Sequence, residues 1–136
     1  MQAQPYLFLN GRCEAAVEFY RANLGAEVTM MMRFNEMPTS EGPLLPSGSE
    51  HKIMHLSLQI GDTTVMMSDG MGDGEVKFEG FSLSLTVADD AEAKRLFDRL
   101  ADGGQIHEPL APMFWTSSFG RVTDRFGVPW MVTVVS

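Results

Sequence analysis

The chain has 136 residues, a formal net charge of −8, 44% hydrophobic residues and a single cysteine, Cys13. This length suits one domain or two small fused halves, and the acidic balance argues against nucleic acid, because phosphate contacts need a basic face. A lone cysteine excludes an internal disulfide, and no apolar stretch approaches the ~18 residues that span a membrane. We therefore expect a cytoplasmic globular protein whose partners include neither nucleic acid nor a membrane.

The first half of the chain predicts a strand, a helix and three further strands. From Cys13 the apolar residues recur at helical spacing, and Gly25 follows as a stop, where a left-handed residue costs least. Strands are predicted over residues 6–9, 27–34, 53–60 and 64–68. Residues 35–50 are rich in Pro, Gly and Ser and lack periodicity, which predicts a long loop of the kind used as a lid or a dimer arm.

The second half predicts the same order of elements. A strand over residues 81–87 precedes a helix that begins near Asp89 and ends at Gly103 and Gly104. A strand over residues 105–110, broken by Pro109 and Pro112, comes next. A strand–turn–strand segment closes the chain, with strands over 119–123 and 128–135. Asp124 and Gly127 occupy the first and last positions of its turn, which suits type I geometry.

A shift of 78 residues places the second half on the first. The shift superimposes identical residue types at matching points of the two predicted helices and strands, namely Leu7 on Leu85, Glu14 on Glu92, Ala15 on Ala93, Phe19 on Phe97, Arg21 on Arg99 and Gly25 on Gly103. This period is too long for a solenoid repeat. It predicts an α+β fold of two βαβββ units, about residues 1–74 and 75–136, within a single domain.

The closing segment carries the most specific sequence pattern of the chain. Its characteristic residues are Phe114-Trp115, Gly120, Val122-Thr123-Asp124, Gly127 and Pro129-Trp130. With the duplicated unit, this pattern resembles the PhnB-like branch of the glyoxalase/bleomycin-resistance/dioxygenase proteins, also called vicinal oxygen chelate proteins. The resemblance implies two units that form a curved, partly open barrel-like mixed sheet around a pocket, in a homodimer.

Many proteins of this superfamily bind one divalent metal through inward residues of the first and last strands of each unit. The resemblance places those positions near Pro5 or Leu7, Met66 or Met67, Ser82 and Met131. None of these is His, Asp or Glu, the residues that supply nitrogen or oxygen ligands to divalent metals. We therefore expect neither a bound metal nor another cofactor.

Three residues and one loop are candidates for chemistry. His55 lies inside a predicted strand and could act as a general base or bond a ligand, or it could be a rim histidine bonded to neighbouring backbone. Asp69 could pair with an arginine at a pocket mouth or simply form a turn. Cys13 opens a helix, where a thiolate can be stabilised, but no histidine partner is predicted beside it, so we expect an inert cysteine. The glycine-rich segment 69–74 is read as a linker, because a phosphate-binding loop needs a helix directly after it.

We predict a protein that holds an unknown small organic molecule in a Met- and aromatic-lined cavity, without the usual metal site. The predicted ligand-contacting residues are Tyr6, Phe8, His55, Met67, Asp69, Phe114, Trp115, Phe119 and Met131. Flexible thioethers adapt to varied apolar ligands, and aromatic rings can stack on planar ones. A divalent-metal-dependent lyase, isomerase or dioxygenase is the alternative, and metal-free acid–base chemistry by His55 is a third. The sequence identifies no catalytic residue with which to choose between them.

Overall fold

The computed structural model describes residues 1–37, 48–70, 72 and 74–135. Along them the elements are β1 (Tyr6–Phe8), α1 (Cys13–Leu24), β2 (Glu27–Arg33), β3 (Ile53–Ile60), β4 (Thr63–Ser68), β5 (Leu83–Val87), α2 (Asp90–Ala101), β6 (Gln105–Met113), β7 (Thr116–Thr123) and β8 (Pro129–Val134). The chain divides into two compact units, Met1–Val76 (unit one) and Lys77–Ser136 (unit two). That the two make up a single domain stays a prediction.

Unit one is a four-stranded mixed sheet with strand order β1-β4-β3-β2. β1 and β4 are parallel, whereas β4, β3 and β2 pair in antiparallel fashion. Parallel neighbours need a long crossover connection. Here that connection contains α1, which packs against β3. One face of the sheet is therefore covered by the helix, and the predicted βαβββ order is confirmed for this half.

The bounds of α1 follow from local chemistry and match the prediction. Its buried residues Ala16, Val17, Phe19 and Tyr20 recur at the spacing of one helix face. The helix ends at Gly25, which adopts a left-handed conformation with φ of 67°. A side chain there would be strained, and the glycine N–H bonds the Tyr20 carbonyl oxygen to close the last turn.

Unit two repeats the architecture with strand order β5-β8-β7-β6. β5 and β8 are parallel and the other neighbours antiparallel, as in unit one. α2 starts from Asp89, whose side chain accepts a hydrogen bond from the Glu92 N–H. Within the described residues neither four-stranded sheet closes on itself. The predicted α+β fold class of two βαβββ units is confirmed, and the 78-residue repeat corresponds to matching topology.

The predicted closing turn is also confirmed. The Gly127 N–H bonds the Asp124 carbonyl oxygen at 3.0 Å, which closes the four-residue turn between β7 and β8. The Asp124 carboxylate is buried and bridges both sides of this turn. One oxygen accepts from the backbone N–H groups of Phe126 and Val128, and the other accepts from the Trp130 indole at 2.8 Å. This carboxylate therefore fixes the Trp130 indole relative to the turn.

Three predicted strand bounds differ from the structure by two residues or more. β6 runs through both prolines to Met113, because it lies at the sheet edge and its register shifts between Glu108, Ala111 and Met113. Edge strands with bulges tolerate residues that cannot donate to a ladder. β7 begins at Thr116 rather than three residues later, and β5 begins at Leu83 rather than at Phe81.

Of the predicted 35–50 loop, residues 38–47 lie outside the described residues, so its proposed role as a lid or dimer arm stays a prediction. Residues 71 and 73 of the glycine-rich segment also lie outside them. The described residues between Gly74 and β5 form no helix, as the linker interpretation requires. None of the helices that the structure describes is long and apolar enough to cross a membrane.

The outer strand of unit one, β2, leaves apolar side chains in contact with solvent. Val28, Met30 and Met31 are 38%, 44% and 45% exposed. In the sheet order β2 has β3 on one side only, so its second edge carries no strand among the described residues. Such an edge is open to pairing with another chain.

Candidate functional site

The open face of each sheet is defined by its strand register. Side chains at paired positions of neighbouring strands lie on the same face of a sheet. In unit one Tyr6 pairs with Met66, Met66 with Ser57 and Ser57 with Met30. Buried residues such as Leu7, Leu56 and Met67 occupy the alternate positions, so the row that starts at Tyr6 faces away from α1.

A hydrogen-bonded chain of three polar side chains lies on this open face. The Tyr6 hydroxyl is 2.9 Å from His55 Nδ1, and His55 Nε2 is 3.2 Å from the Ser57 hydroxyl. Burial raises the pKa of the Tyr6 phenol, and a hydrogen bond with Ser68 opposes that change. The predicted rim histidine bonded to backbone is thus not what the structure shows. His55 is joined to side chains through both ring nitrogens.

Phe8 extends this cluster along β1. Its ring centroid lies 5.1 Å from that of Tyr6, and the Tyr6 ring lies 5.5 Å from the His55 imidazole. Phe8 is 55% exposed and Tyr6 39% exposed. Three of the predicted ligand-contacting residues are therefore brought together as an accessible aromatic and polar surface.

Asp69 has a different role from the predicted contact with a ligand. One carboxylate oxygen accepts from the Gly11 and Cys13 N–H groups at 3.0 and 2.9 Å, and the other accepts from the Ile53 N–H at 2.8 Å. The side chain is buried, with 4% of the residue exposed. It joins the start of α1 to the start of β3, so both its oxygens are used within the fold. Among the residues that the structure describes, Asp69 has no arginine partner, and its carboxylate is directed to backbone N–H groups.

Met67 also departs from the prediction. It pairs with Leu7 on β1 and with Leu56 on β3, in the row that α1 covers, and none of it is exposed. Its neighbour Met66 instead belongs to the open row. The sequence run Met66-Met67 did not indicate which methionine lies in the buried row and which on the open face. The strand pairing decides this.

Cys13 is inert in this fold. None of the residue is exposed, and burial raises the pKa of its thiol to about 12, with the negative charges of Asp69 and Glu14 adding to the effect. A thiol with so high a pKa stays protonated at neutral pH and is a poor nucleophile. This burial agrees with the inert cysteine expected at the helix start rather than with a stabilised thiolate.

Unit two contains an open cavity of about 590 Å³. Its walls include Phe78, Phe81, Ser82, His107, Arg121 and Met131. The Phe78 and Phe81 rings meet edge to face with centroids 6.2 Å apart, and Phe81 is 43% exposed. Of the predicted ligand-contacting residues, Met131 alone lines this cavity. Ligand pockets commonly enclose about 300–1,000 Å³ and combine apolar walls with a few polar groups.

Two polar side chains border the apolar part of this cavity. Arg121 Nη1 donates to Glu108 at 2.9 Å, and His107 Nε2 is 2.7 Å from the Thr123 hydroxyl. The sequence prediction missed Arg121, Phe78 and Phe81. Alternation along residues 119–123 could have placed Arg121 on the same face as Met131, its partner across β7 and β8. Phe78 lies outside any predicted strand, so periodicity gave no signal for it. Phe81 was predicted to begin the strand over residues 81–87, but it precedes β5, and the alternation did not show that its ring lines a cavity.

The remaining predicted aromatic residues cluster at the hairpin between β6 and β7. The Phe114 and Trp115 rings meet edge to face at 4.8 Å, and Trp115 meets Phe119 at 5.4 Å. Exposure falls along this row, from 98% for Phe114 to 45% for Trp115 and 8% for Phe119. None of the three is among the walls of the unit-two cavity. They form a separate aromatic ridge on the surface of unit two.

The strand pairing shows which residues near the predicted metal positions lie on the open face of each sheet. Tyr6 and Met66 pair on the open face of unit one, and Ser84 and Met131 pair at the matching place in unit two. Leu7, one of the predicted positions, lies in the buried row instead. Neither pair, a phenol with a thioether in unit one or a hydroxyl with a thioether in unit two, supplies the nitrogen and oxygen ligands typical of a divalent metal. Across the described parts of the chain, no three His, Cys, Asp or Glu residues are grouped for a metal ion.

Two βαβββ units of matching topology, each with an open face of aromatic, methionine and polar side chains, define a glyoxalase-like protein. Residues 4–132 match the Glyoxalase/Bleomycin resistance protein/Dioxygenase superfamily. The chain belongs to this superfamily, which confirms the family expected from the sequence.

Individual relatives support the PhnB-like branch. The chain is 40% identical to Protein YjdN of Escherichia coli strain K12, over 99% of this chain and 96% of that protein. It is similar to the crystal structure of PA1353 from Pseudomonas aeruginosa, with 41% identity, a TM-score of 0.86 and coverage of 99% and 98%. A putative 3-demethylubiquinone-9 3-methyltransferase, a PhnB protein from Bacillus cereus, has 25% identity, a TM-score of 0.80 and coverage of 99% and 100%.

Proposed function

We propose that this protein binds a small organic molecule in the cavity of unit two. The observation that carries the proposal is the cavity itself, whose volume of about 590 Å³ suits a small ligand and whose walls include Phe78, Phe81 and Met131. Aromatic rings and a flexible thioether favour a planar or apolar ligand body. Arg121 and His107 at the border supply hydrogen-bond donors that can orient its polar end.

A neutral aromatic dye, N-phenylnaphthylamine, tests the proposal through the rise in its fluorescence on entering an apolar site. We expect Phe81→Ala to weaken binding of the dye roughly tenfold, because a contacting ring is worth about 1–1.5 kcal/mol. Phe114→Ala is the matched control. This substitution also removes an exposed phenyl ring, but from the aromatic ridge outside the cavity. It should leave the dissociation constant of the dye unchanged. If Phe114→Ala weakens binding and Phe81→Ala does not, the ligand site is on the ridge and the proposal is wrong.

The metal-dependent alternative gains no support from Tyr6, Met66, Ser84 and Met131. Metal analysis of protein purified without chelator tests it directly. We expect less than stoichiometric divalent metal after dialysis. Stoichiometric metal that survives dialysis would contradict the metal-free site proposed above.

The methyltransferase description of the Bacillus cereus protein is not extended to this chain. Nucleotide-type cofactors bind at the N-terminus of a helix that directly follows a glycine-rich turn. The described residues after Gly74 lead to β5 without a helix. The glycine-rich segment therefore gives no reason to propose such a cofactor.

We also propose that the protein forms a homodimer, in keeping with the sequence expectation. The apolar side chains exposed along β2 support this proposal, because their contact with a second chain would remove them from water. Light scattering during size-exclusion chromatography should give twice the chain mass of 15.0 kDa. A single mass of one chain at all concentrations would refute the dimer and leave the cavity proposal untouched.

A further inference from the structure

The Tyr6–His55–Ser57 chain of unit one has the arrangement of an activated nucleophile. A hydroxyl lies within hydrogen-bond reach of an imidazole nitrogen, at 3.2 Å, and the other ring nitrogen is held by a third side chain at 2.9 Å. This order of nucleophile, base and orienting group is the signature of base-activated serine chemistry. The cavity of unit two contains none of these residues. The function of these three hydrogen-bonded side chains is therefore a separate question from ligand binding in that cavity.

We propose that Ser57 is a nucleophile that accepts an acyl group from small neutral aryl esters, with His55 as its base and Tyr6 as a positioning residue. This role requires the tautomer in which His55 Nδ1 carries the proton and donates it to the Tyr6 oxygen. Nε2 is then the acceptor for the Ser57 hydroxyl. With the opposite tautomer Tyr6 would donate to Nδ1 and Ser57 would accept from Nε2. The imidazole could then not take the proton of the Ser57 hydroxyl.

The surroundings of Ser57 define the class of ester. Met66 and Met30 are its partners on the neighbouring strands, and Met32 is the partner of His55. The Tyr6 and Phe8 rings complete the cluster. These neighbours are apolar or uncharged, so they favour a neutral ester with an aromatic leaving group over an anionic or cationic substrate. Tyr6 and Phe8 are exposed and His55 and Ser57 are half-buried, which leaves the hydroxyl within reach of a small molecule.

The reaction balances without a cofactor. The Ser57 oxygen forms a bond to the ester carbonyl carbon while its proton passes to His55 Nε2. The bond from that carbon to the aryl oxygen breaks, and the leaving aryloxide takes the electron pair and then the proton. Water, deprotonated by His55, later cleaves the acyl–serine bond and restores the hydroxyl. The overall change is ester plus water to carboxylic acid plus phenol.

The test uses p-nitrophenyl acetate, with peptide mass spectrometry to locate the acetyl group and absorbance to follow nitrophenol release. We expect acetylation at Ser57, which Ser57→Ala abolishes. Removing the base in His55→Gln should slow it about a hundredfold, the usual contribution of general base catalysis. Ser84→Ala is the matched control. Ser84 occupies the open face of unit two without an imidazole beside it among the described residues, so its loss should change nothing.

The pH dependence of acylation distinguishes a serine that His55 activates from a serine that is only exposed to solvent. The acylation rate should depend on pH in the wild type, and His55→Gln should remove that dependence because it removes the base. Tyr6→Phe should lower the rate without changing the KM, because the imidazole loses the hydrogen bond that orients it. The groups that face His55 include Tyr6 from β1, Met32 from β2, Ser68 from β4 and Ser57 from its own strand, and none of these four carries a charge at neutral pH.

Folding of each variant is checked by circular dichroism, and Ser57→Cys gives a second route if the alanine variant is unstable. A thiol at this position should react with iodoacetamide faster when His55 is present than in the His55→Gln background. Equal acetylation of Ser57 and Ser84, or nitrophenol release that survives Ser57→Ala, would overturn the proposal. So would a pH profile that His55→Gln leaves unaltered.

Discussion

The buried carboxylate of Asp69 gives the sharpest prediction about stability. Asp69→Ala removes three hydrogen bonds to backbone N–H groups, of which those of Cys13 and Ile53 belong to residues with no exposed surface. Hydrogen bonds to a charged group contribute about 1.5–3 kcal/mol each, and buried donors left without a partner cost about as much. Water can replace the carboxylate at exposed Gly11. We therefore expect the free energy of unfolding to fall by about 3–5 kcal/mol.

Asp69→Asn refines the same prediction. The side-chain carbonyl oxygen of the asparagine can still accept from the N–H groups of Gly11 and Cys13. Its NH2 group, however, would face the Ile53 N–H, and two donors cannot form a hydrogen bond with each other. A loss of about 1–3 kcal/mol should follow from that single unsatisfied donor. Asp98→Asn is the control, since Asp98 forms an exposed ion pair with Lys94 at 2.8 Å and such pairs contribute less than about 1 kcal/mol.

Urea unfolding followed by circular dichroism measures these changes. Both tryptophans, Trp115 and Trp130, lie in unit two, so their fluorescence does not report on unit one directly. If Asp69→Ala unfolds within 1 kcal/mol of the wild type and instead weakens dye binding, Asp69 acts at a ligand surface. The structural assignment would then be refuted, and the original expectation from the sequence restored.

Two further predictions concern close packing and the thiol. Gly104→Ala should lower the free energy of unfolding by at least about 2 kcal/mol, because an added Cβ would lie 2.1 Å from the Thr123 carbonyl oxygen. Gly74→Ala is the control in the same urea assay. An added Cβ there has nothing within 4 Å and should change the free energy of unfolding by less than about 0.5 kcal/mol. Cys13 should resist iodoacetamide in the native protein at pH 8 and react once urea unfolds it. Because folding raises the pKa of this thiol from 9.0 to about 12, its contribution to stability is intact below pH 9 and is lost as pH rises towards 12. The free-energy gap between wild type and Cys13→Ala should therefore shrink by about 1.4 kcal/mol per pH unit in that window, and a constant gap would contradict the burial of the thiol.

The helices and the duplicated order of elements could be predicted because their signals are local. The stripe of apolar residues in α1 and the glycine at its end lie within one short segment, and the structure places both as expected. β6 was harder, since Pro109 and Pro112 are strand breakers unless the strand lies at an edge. Edge position depends on which strands pair, and that information is spread over the whole of unit two.

The candidate site likewise combines local features that the sequence predicts with long-range contacts that it does not predict. Alternation along residues 53–60 placed His55 and Ser57 on one face, but it could not show that Tyr6 from β1 reaches the far side of the imidazole. For Asp69 the sequence offered an arginine partner or a simple turn. The structure gives instead three backbone donors from two distant segments, which no local pattern encodes. Contacts between residues far apart in sequence are therefore what separates the predicted site from the observed one.

The methionines of β2 connect the sheet edge to oxidative chemistry. Met30 and Met31 present thioethers to solvent on a strand with a single neighbour. Peroxide converts such groups to sulfoxides, which are polar and can be reduced again by repair enzymes. Oxidation would make the apolar edge of unit one polar and hydrated, and repair would make it apolar again. The surface that β2 presents to solvent therefore depends on the oxidation state of Met30 and Met31.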